Sequence, residues 1–192
     1  MLALKNKILT YSNVSNADFD FAFQYYKKEK IGKGELLSED GKVVDRLYFM
    51  QKGCVVFYVM IDGEEKVIEF FTENDIFSDY YSYLTEKPAK GYMRATEDSI
   101  IISVQKKDFE EILKKSHALE HFGRKFLEER HLAVLINYSN NSVLSNEDRY
   151  LRLMRKRPTL FQRVPQYLIA SYLGLTAVGL SKIRKRLSEK SD

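Results

Sequence analysis

Residues 164–187 read VPQYLIASYLGLTAVGLSKIRKRL, which is the most specific pattern in the chain. Pro165 suits the first turn of a helix, where its missing N–H costs nothing. Gly174 then allows a sharp turn, and Thr176 can cap a second helix. Each helix has its own apolar positions, which are Leu168, Ile169 and Leu173 in the first and Leu180, Ile183 and Leu187 in the second. Two short helices joined by a glycine-containing turn predict a helix-turn-helix, and the alternative is an ordinary helical hairpin.

The second helix would leave a polar and basic face free for an anionic partner. The candidate DNA-contacting residues on and beside this face are Gln166, Thr176, Ala177, Val178, Ser181, Lys182, Arg184 and Lys185. Residues 149–192 carry eleven Lys or Arg against two acids, a net charge of +9, whereas residues 1–148 carry −5. This asymmetry favours nucleic acid as the partner, and a solvated helical surface is the alternative.

The composition excludes several classes of protein. The 192 residues are 44% hydrophobic and 30% charged, which suits one large domain or two small ones with a packed core. Cys54 is the single cysteine, which excludes a disulfide framework and an iron–sulfur cluster. No apolar run approaches the roughly 18 residues of a membrane helix, and no secretory signal is evident. We therefore expect a soluble protein of the cytoplasm.

No pattern of catalytic residues stands out. The sequence has no glycine-rich phosphate loop, no nucleophile–base pair and no metal-ligand spacing. We therefore expect no enzyme, no cofactor and no metal site. His117 and His121 are four residues apart, but a metal site would need further ligands. We interpret both as solvated helix histidines.

Residues 30–104 are predicted to form β structure. Short runs rich in β-branched and aromatic residues are RLYFMQ (46–51), CVVFYVMI (54–61), KVIEFF (66–71) and SIIISV (99–104). The pair Asp62-Gly63 supplies the positive φ that a tight hairpin turn requires. Many short strands with regular turns predict a sandwich or barrel, here a jelly roll.

A long amphipathic helix is predicted over residues 118–138, about 20 residues and roughly 30 Å in length. Its apolar positions are Leu119, Phe122, Phe126, Ala133 and Ile136. Because a small sandwich cannot cover such a helix, part of this stripe is expected to form a homodimer seam. The alternative is a helix packed wholly within its own chain. The polar residues 137–148 follow as a predicted hinge or linker.

The chain resembles the cyclic-AMP receptor protein/FNR (Crp/Fnr) superfamily of bacterial transcription regulators over essentially its whole length. The likeness is carried by residues 46–71 and 75–99, by the long helix, and by IASYLGLT followed by LSKIRKRL, which is particularly similar to members from the Bacteroidetes group. It implies an α+β fold. Its parts are an N-terminal cyclic-nucleotide-binding-type β jelly roll (residues 1–115), a dimerisation helix (116–140) and a C-terminal winged helix-turn-helix (141–192). The implied partners are double-stranded DNA, a second copy in a homodimer, RNA polymerase and an unknown small-molecule effector, if one exists.

The resemblance also marks where this chain departs from cyclic-nucleotide binders. In those proteins a Gly-Glu-Leu stretch holds the ribose, and an Arg followed by Ser or Thr holds the cyclic phosphate. An ungapped alignment puts Ala89 at the Arg, so the bidentate partner of the phosphate is missing. The candidate effector pocket comprises Phe70, Ser78, Asp79, Tyr80, Ala89 and Lys90. We expect no tight binding of cyclic AMP or cyclic GMP.

The predicted recognition helix departs from the family as well. Members that read a well-known palindrome use an Arg-Glu pair at its start and an Arg four residues after that Glu. Here those positions hold Ala177, Val178 and Lys182. The first two can contact a thymine methyl, and the lysine can contact guanine or a phosphate, so we expect a different operator. Two hypotheses follow: a dimeric DNA-binding regulator with a degenerate pocket, or a ligand- or protein-binding module with weak, non-sequence-specific DNA binding.

Overall fold

Two antiparallel sheets form a roll, which is covered by helices from the N-terminal and C-terminal parts of the chain. The computed structural model describes residues 1–189, without the side chain of Asn141. The strands are β1 (Lys27–Ile31), β2 (Leu36–Ser38), β3 (Arg46–Lys52), β4 (Val55–Ile61), β5 (Glu64–Phe71), β6 (Ile76–Phe77), β7 (Tyr92–Ala95) and β8 (Ser99–Gln105). The helices are α1 (Leu2–Leu9), α2 (Asn16–Ala22), α3 (Tyr80–Thr85), α4 (Lys106–Lys115), α5 (His117–Val143), α6 (Asn146–Lys156), α7 (Leu160–Arg163), α8 (Gln166–Tyr172) and α9 (Ala177–Glu189).

The sheet topology is that of a jelly-roll-like fold. The strand orders are β1-β8-β3-β6 in the first sheet and β2-β7-β4-β5 in the second, and every pair is antiparallel. The predicted hairpin between β4 and β5 is confirmed, because Asp62 and Gly63 have φ angles of 52° and 79°. The mixed architecture expected from the sequence, with two sheets and one long helix, is therefore present.

Large apolar side chains fill the space between the two sheets. The rings of Phe71 and Phe77 stack with their centroids 4.5 Å apart, and Tyr48 lies 5.5 Å from Phe77. Burial raises the pKa of Tyr48 to about 12. Met50 and Met93 are fully buried in the same cluster. The interior of the roll is thus packed with side chains.

The outer face of the first sheet is covered by α1, α2, α4 and the first half of α5. Leu119, Phe122 and Phe126 are buried there, in one cluster with Leu4 and Ile8 of α1. This part of the predicted stripe therefore packs within its own chain and does not face a partner helix. Helix α1, which the sequence analysis did not anticipate, covers them within the same chain.

Helix α5 is longer than predicted. The helix spans 27 residues, so the first residues of the predicted linker belong to it. These last turns are polar, but they contain neither Gly nor Pro, the residues that most disfavour a helix. A short break follows, and Ser145 then caps α6 by accepting the Asp148 N–H at 3.2 Å. Of the predicted apolar stripe, Ala133 is half-buried and Ile136 is exposed.

Helices α6 to α9 pack together on the outer face of the second sheet. Their apolar side chains share a cluster with Cys54, Val56 and Val67 of the roll. Burial raises the pKa of the Cys54 thiol to about 11. Within residues 1–189 no strand follows β8, so the predicted wing is not among them, and the last three residues of the predicted domain 141–192 lie outside the described residues.

None of the helices in the described part of the chain is both long and apolar enough to cross a membrane. Among the same residues, no three His, Cys, Asp or Glu side chains lie close enough together to hold a metal ion.

Candidate functional site

The turn between α8 and α9 is built by the residues that the sequence singles out. Gly174 has φ 67°, in the left-handed region that favours glycine. The Leu175 N–H donates to the Ala170 carbonyl at 2.8 Å, which closes the end of α8. Thr176 Oγ1 accepts the Gly179 N–H at 3.0 Å and so caps the first turn of α9, as predicted.

Helix α9 presents one face to solvent and buries the other. Leu180 and Ile183 are buried against α8 and α6, whereas the Val178 side chain is 65% exposed. The predicted DNA-contacting residues are all at the surface: Gln166, Thr176, Ala177, Val178, Ser181, Lys182, Arg184 and Lys185. Seven of these residues follow the end of α8 or lie in α9, and Gln166 begins α8.

Not every basic residue of the C-terminal segment belongs to that surface. Arg186 forms an ion pair with Glu147 of α6, which ties the two helices together. Lys185 lies 3.9 Å from Glu189, a loose pair between exposed side chains. Lys182 and Arg184 extend the basic surface from the exposed side of α9.

Three other residues of the C-terminal segment bind the roll. Arg163 Nη1 and Nη2 donate to the two Glu73 carboxylate oxygens at 2.8 and 2.9 Å, and Nε donates to Glu97 at 3.1 Å. Arg157 donates to the Phe70 carbonyl. Ser171 of α8 donates to the Glu65 carbonyl at 2.8 Å and accepts the Val67 N–H at 2.9 Å, and so occupies the edge of β5.

These contacts are the functional feature that the sequence analysis missed. Arg157 and Arg163 are counted in its basic segment, yet both are directed towards the roll. Their carboxylate partners lie more than 60 positions away along the chain, so no local pattern could have indicated the pairs.

The polar side chains of the candidate effector pocket form hydrogen bonds within the protein. Asp79 is only 1% exposed, and its carboxylate caps α3 by accepting the Ser82 N–H at 3.1 Å. Ser78 donates to the Arg46 carbonyl at 2.7 Å, and Tyr80 donates to the Ile76 carbonyl at 3.2 Å. These groups are therefore engaged within the protein.

The other members of the candidate pocket do not complete it. Ala89 is buried in the filled interior, and the Lys90 ammonium lies 4.7 Å from the Tyr81 ring centroid at the surface. The assignment of Phe70 to the pocket is wrong. Because neighbouring residues of a strand point to opposite faces, Phe70 lies outside the roll, 5.4 Å from the Tyr172 ring, while Phe71 lies inside.

Residues 28–116 match the family model of the cyclic nucleotide-binding domain. No curated protein matches the sequence. Among solved structures, the fold is similar to that of the c-di-GMP-responsive global regulator CLP of Xanthomonas campestris, with a TM-score of 0.70 at 14% identity over 92% of this chain and 93% of that chain. FixK2 of Bradyrhizobium japonicum gives a TM-score of 0.67 at 18% identity over 86% of each chain.

A third structure is similar over the same length. The catabolite activator protein of Thermus thermophilus gives a TM-score of 0.57 at 17% identity, over 93% of this chain and 86% of that chain. At such identities these likenesses establish a shared fold. They extend beyond the matched domain, because each covers most of this chain.

Proposed function

We propose that this protein is a homodimeric, DNA-binding transcription regulator of the Crp/Fnr type with a degenerate cyclic-nucleotide pocket. In this proposal α8 and α9 are the helix-turn-helix, and α9 enters the major groove. The exposed face of α9 is the observation that carries the proposal. Its polar and basic residues are exposed to solvent, where an anionic ligand can reach them, while Leu180 and Ile183 of its apolar stripe are buried.

The similar structures support the same function. One of them is named a global regulator that acts on virulence gene expression, and another a catabolite activator protein. We extend to this chain their regulatory role, and we predict a cytoplasmic location and RNA polymerase as a further partner. Membership of the Bacteroidetes-like branch also remains our prediction.

The part of α5 that begins at Leu127 supports the homodimer. Its large apolar side chains are exposed, and they are Leu127, Leu132, Val134, Leu135, Ile136, Tyr138 and Val143. Leu127, Val134 and Tyr138 recur at steps of seven and four residues, the spacing of a helix–helix seam. A second copy of α5 would cover this face and would set the spacing of two recognition helices.

The filled roll supports a scaffold rather than a cyclic-nucleotide sensor. The stacked rings of Phe71 and Phe77 occupy the interior, and Asp79 is engaged as a helix cap. An effector would have to bind elsewhere or displace these side chains. We therefore propose that DNA binding needs no cyclic nucleotide, and that the protein has no catalytic activity.

Selection from a randomised duplex library with the full chain and no added ligand tests this function. We expect an enriched inverted repeat, bound as a dimer. Affinity for that repeat should fall in Lys182→Ala, whereas Lys33→Ala, at an exposed lysine of the roll, should leave it unchanged. Failure to enrich any sequence, with or without candidate effectors, would contradict the proposal.

A second candidate function is a ligand- or protein-binding module with weak, non-sequence-specific DNA binding. It is favoured by Ala177 and Val178, whose side chains at the start of α9 can make no hydrogen bond to a base edge. Salt dependence distinguishes the two candidates. A module of this kind would bind all duplexes with equal affinity and an equally steep salt dependence, because phosphate contacts carry no sequence information.

A further inference from the structure

We infer that α9 recognises thymine methyl groups, and that the operator half-site presents a thymine to Val178. This inference rests on the proposed function and names the bases that the same surface selects. It starts from the one large apolar side chain on the exposed face of α9. Val178 is 65% exposed, although its helix buries two other aliphatic residues at the expected spacing.

Helical spacing aligns Val178 with the residues that would line the groove. At 100° per residue, Val178, Ser181, Lys182 and Lys185 lie on the side of α9 opposite Leu180 and Ile183. All four are exposed. Val178 is near the N-terminal end of the helix, the end from which recognition helices contact base edges. Its isopropyl group would thus meet the floor of the major groove.

The chemistry of this face restricts the bases that it can select. Adenine is read by Asn or Gln, cytosine by Asp or Glu, guanine by Arg or Lys, and the thymine methyl by apolar groups. Residues 177–189 contain no Asn, Gln or Asp, and Glu189 lies at the far end of the helix beside Lys185. Ser181 can bond to more than one base, so the selective readouts that remain are a thymine methyl at Val178 and a guanine at Lys182 or Lys185.

The positive charge around Val178 makes duplex DNA the ligand of this apolar group. Lys182, Arg184 and Lys185 are exposed on both sides of it, so an apolar protein partner would have to bury their charges. A duplex instead offers phosphates to the cations and a methyl group to the valine. A half-site with a thymine opposite Val178 and a guanine one base pair along the groove would fit Val178 and Lys182 together.

Removing single methyl groups from the selected operator tests the inference. Deoxyuridine replaces each thymine in turn, since it differs from thymidine only in lacking the C5-methyl group. With the full chain, we expect one position in each half-site at which this change weakens binding about four-fold, and about fifteen-fold when both half-sites are changed. Uracil at the other thymines should have little effect.

The Val178→Ala variant identifies the side chain responsible. It removes an exposed group and raises helix propensity, so it should fold as the wild type does. In this variant the sensitive uracil substitution should weaken binding clearly less than in wild type, because the shorter alanine side chain makes a smaller contact with the C5-methyl group. Lys185→Ala serves as the matched control, and should bind all operators more weakly while keeping the full response to uracil.

The outcomes separate this inference from the function on which it rests. If an operator is selected but no uracil substitution distinguishes wild type from Val178→Ala, the thymine readout is overturned and the regulator function stands. If no operator is selected, both are overturned. If the response to uracil is reduced in Val178→Ala and kept in full in Lys185→Ala, the inference is supported.

Discussion

Ala89 is the position at which the roll departs most clearly from a cyclic-nucleotide site. Its side chain is buried among the apolar residues of the interior. Its N–H donates to the Lys42 carbonyl at 2.9 Å, and its carbonyl accepts the Gly41 N–H at 3.0 Å. The backbone is therefore held from both sides, and no guanidinium is present to meet a phosphate at this position.

We predict that neither cyclic AMP nor cyclic GMP binds tightly. Removing one partner of a buried charge pair costs several kcal/mol, so affinity should be lower by at least about 100-fold than in a site that has the arginine. Isothermal titration calorimetry of the full chain measures this directly, with a cyclic-nucleotide-binding protein as the positive control. Saturable binding in the low-micromolar range would contradict the prediction.

Glu69 and Glu73 differ in how burial and charge affect their ionisation. Burial raises the pKa of Glu69 above its ordinary value, although Arg157 lies 3.5 Å away and opposes the shift. Burial also acts against ionisation of Glu73, but hydrogen bonds from Arg163 and from the Gly53 N–H outweigh it, so the pKa of Glu73 is lowered. The two groups therefore contribute to stability with opposite dependence on pH.

We predict opposite pH trends for the variants Glu73→Gln and Glu69→Gln. The stabilisation from ionised Glu73 is present above its unfolded pKa near 4.5 and is lost as the pH falls through the lower folded value. The destabilisation of Glu73→Gln relative to wild type should therefore diminish from about pH 7 to about pH 3.5. For Glu69 the folded pKa is the higher one, so wild type should gain stability relative to Glu69→Gln on acidification.

Urea unfolding at a series of pH values gives both differences in the free energy of unfolding. Parallel curves for wild type and the two variants would contradict the assignment of the pKa shifts. Glu64→Gln provides an exposed comparison. The neighbouring Lys66 lowers the pKa of Glu64, so any trend should have the sign of the Glu73 trend, but it should be small because solvent screens an exposed pair.

Helix α5 has two halves with different surroundings. Its first half is buried under α1, and its second half presents apolar residues to solvent. Periodicity predicted one continuous stripe, because the sequence alone does not show that α1 covers the start of the helix. Of the exposed apolar residues from Leu127 onward, Ile136 was part of that stripe, whereas Leu127 and Val134 were not.

We predict that Val134→Glu prevents dimerisation. Val134 is 59% exposed, so the substitution should leave the fold of the protomer intact, while a charge in an apolar seam costs several kcal/mol in each copy. Sedimentation velocity should show a monomer where wild type is a dimer. Phe122→Ala is the contrasting variant, because Phe122 is buried within the protomer and its loss should lower stability by about 3–5 kcal/mol.

Either of two results would contradict this account of α5. One is a dimer that survives Val134→Glu, and the other is a wild-type protein that remains monomeric at high concentration and on operator DNA. In the first case the apolar face would not be the seam, and in the second the homodimer itself would be wrong.

The strands and helices were predictable where the sequence pattern that indicates them is local. The strands follow from β-branched runs closed by Asp62-Gly63, and the cap of α9 follows from Thr176. The side on which Phe70 lies was not predictable, because Phe70 and Phe71 are both apolar and their alternation gives no polar face. The contact of Ser171 with Val67 joins residues 104 positions apart, which no local pattern reveals.

At the scale of the whole molecule, the C-terminal helices and the roll form one packed unit. The outer face of the second sheet shares an apolar cluster with α6 to α9, and Arg163 and Ser171 bind the roll at its edge. Such contacts fix the orientation of α9 relative to the roll. A regulator built in this way holds its proposed recognition helices in position without a ligand.

We predict that Arg163→Ala weakens the attachment of the C-terminal helices to the roll. The side chain is 20% exposed and bridges Glu73 and Glu97, so its loss leaves two carboxylates together without their shared cation. Since hydrogen bonds to charged groups stabilise more than neutral ones, we expect a loss of about 2 kcal/mol in the free energy of unfolding. Arg124→Ala removes an ion pair within α5 that is exposed on both sides, and should cost less than about 1 kcal/mol.

The variant Arg163→Ala, unlike Arg124→Ala, is also expected to change DNA binding. Because the Arg163 side chain is bound by Glu73 and Glu97 of the roll and is not part of α9, its loss should not alter which operator is selected. It should lower affinity for that operator, since the helices would have to be ordered again on binding. Increased proteolysis in the break between α5 and α6, with unchanged operator preference, would support a loosened orientation. An altered preference would mean instead that Arg163 helps to shape the reading face.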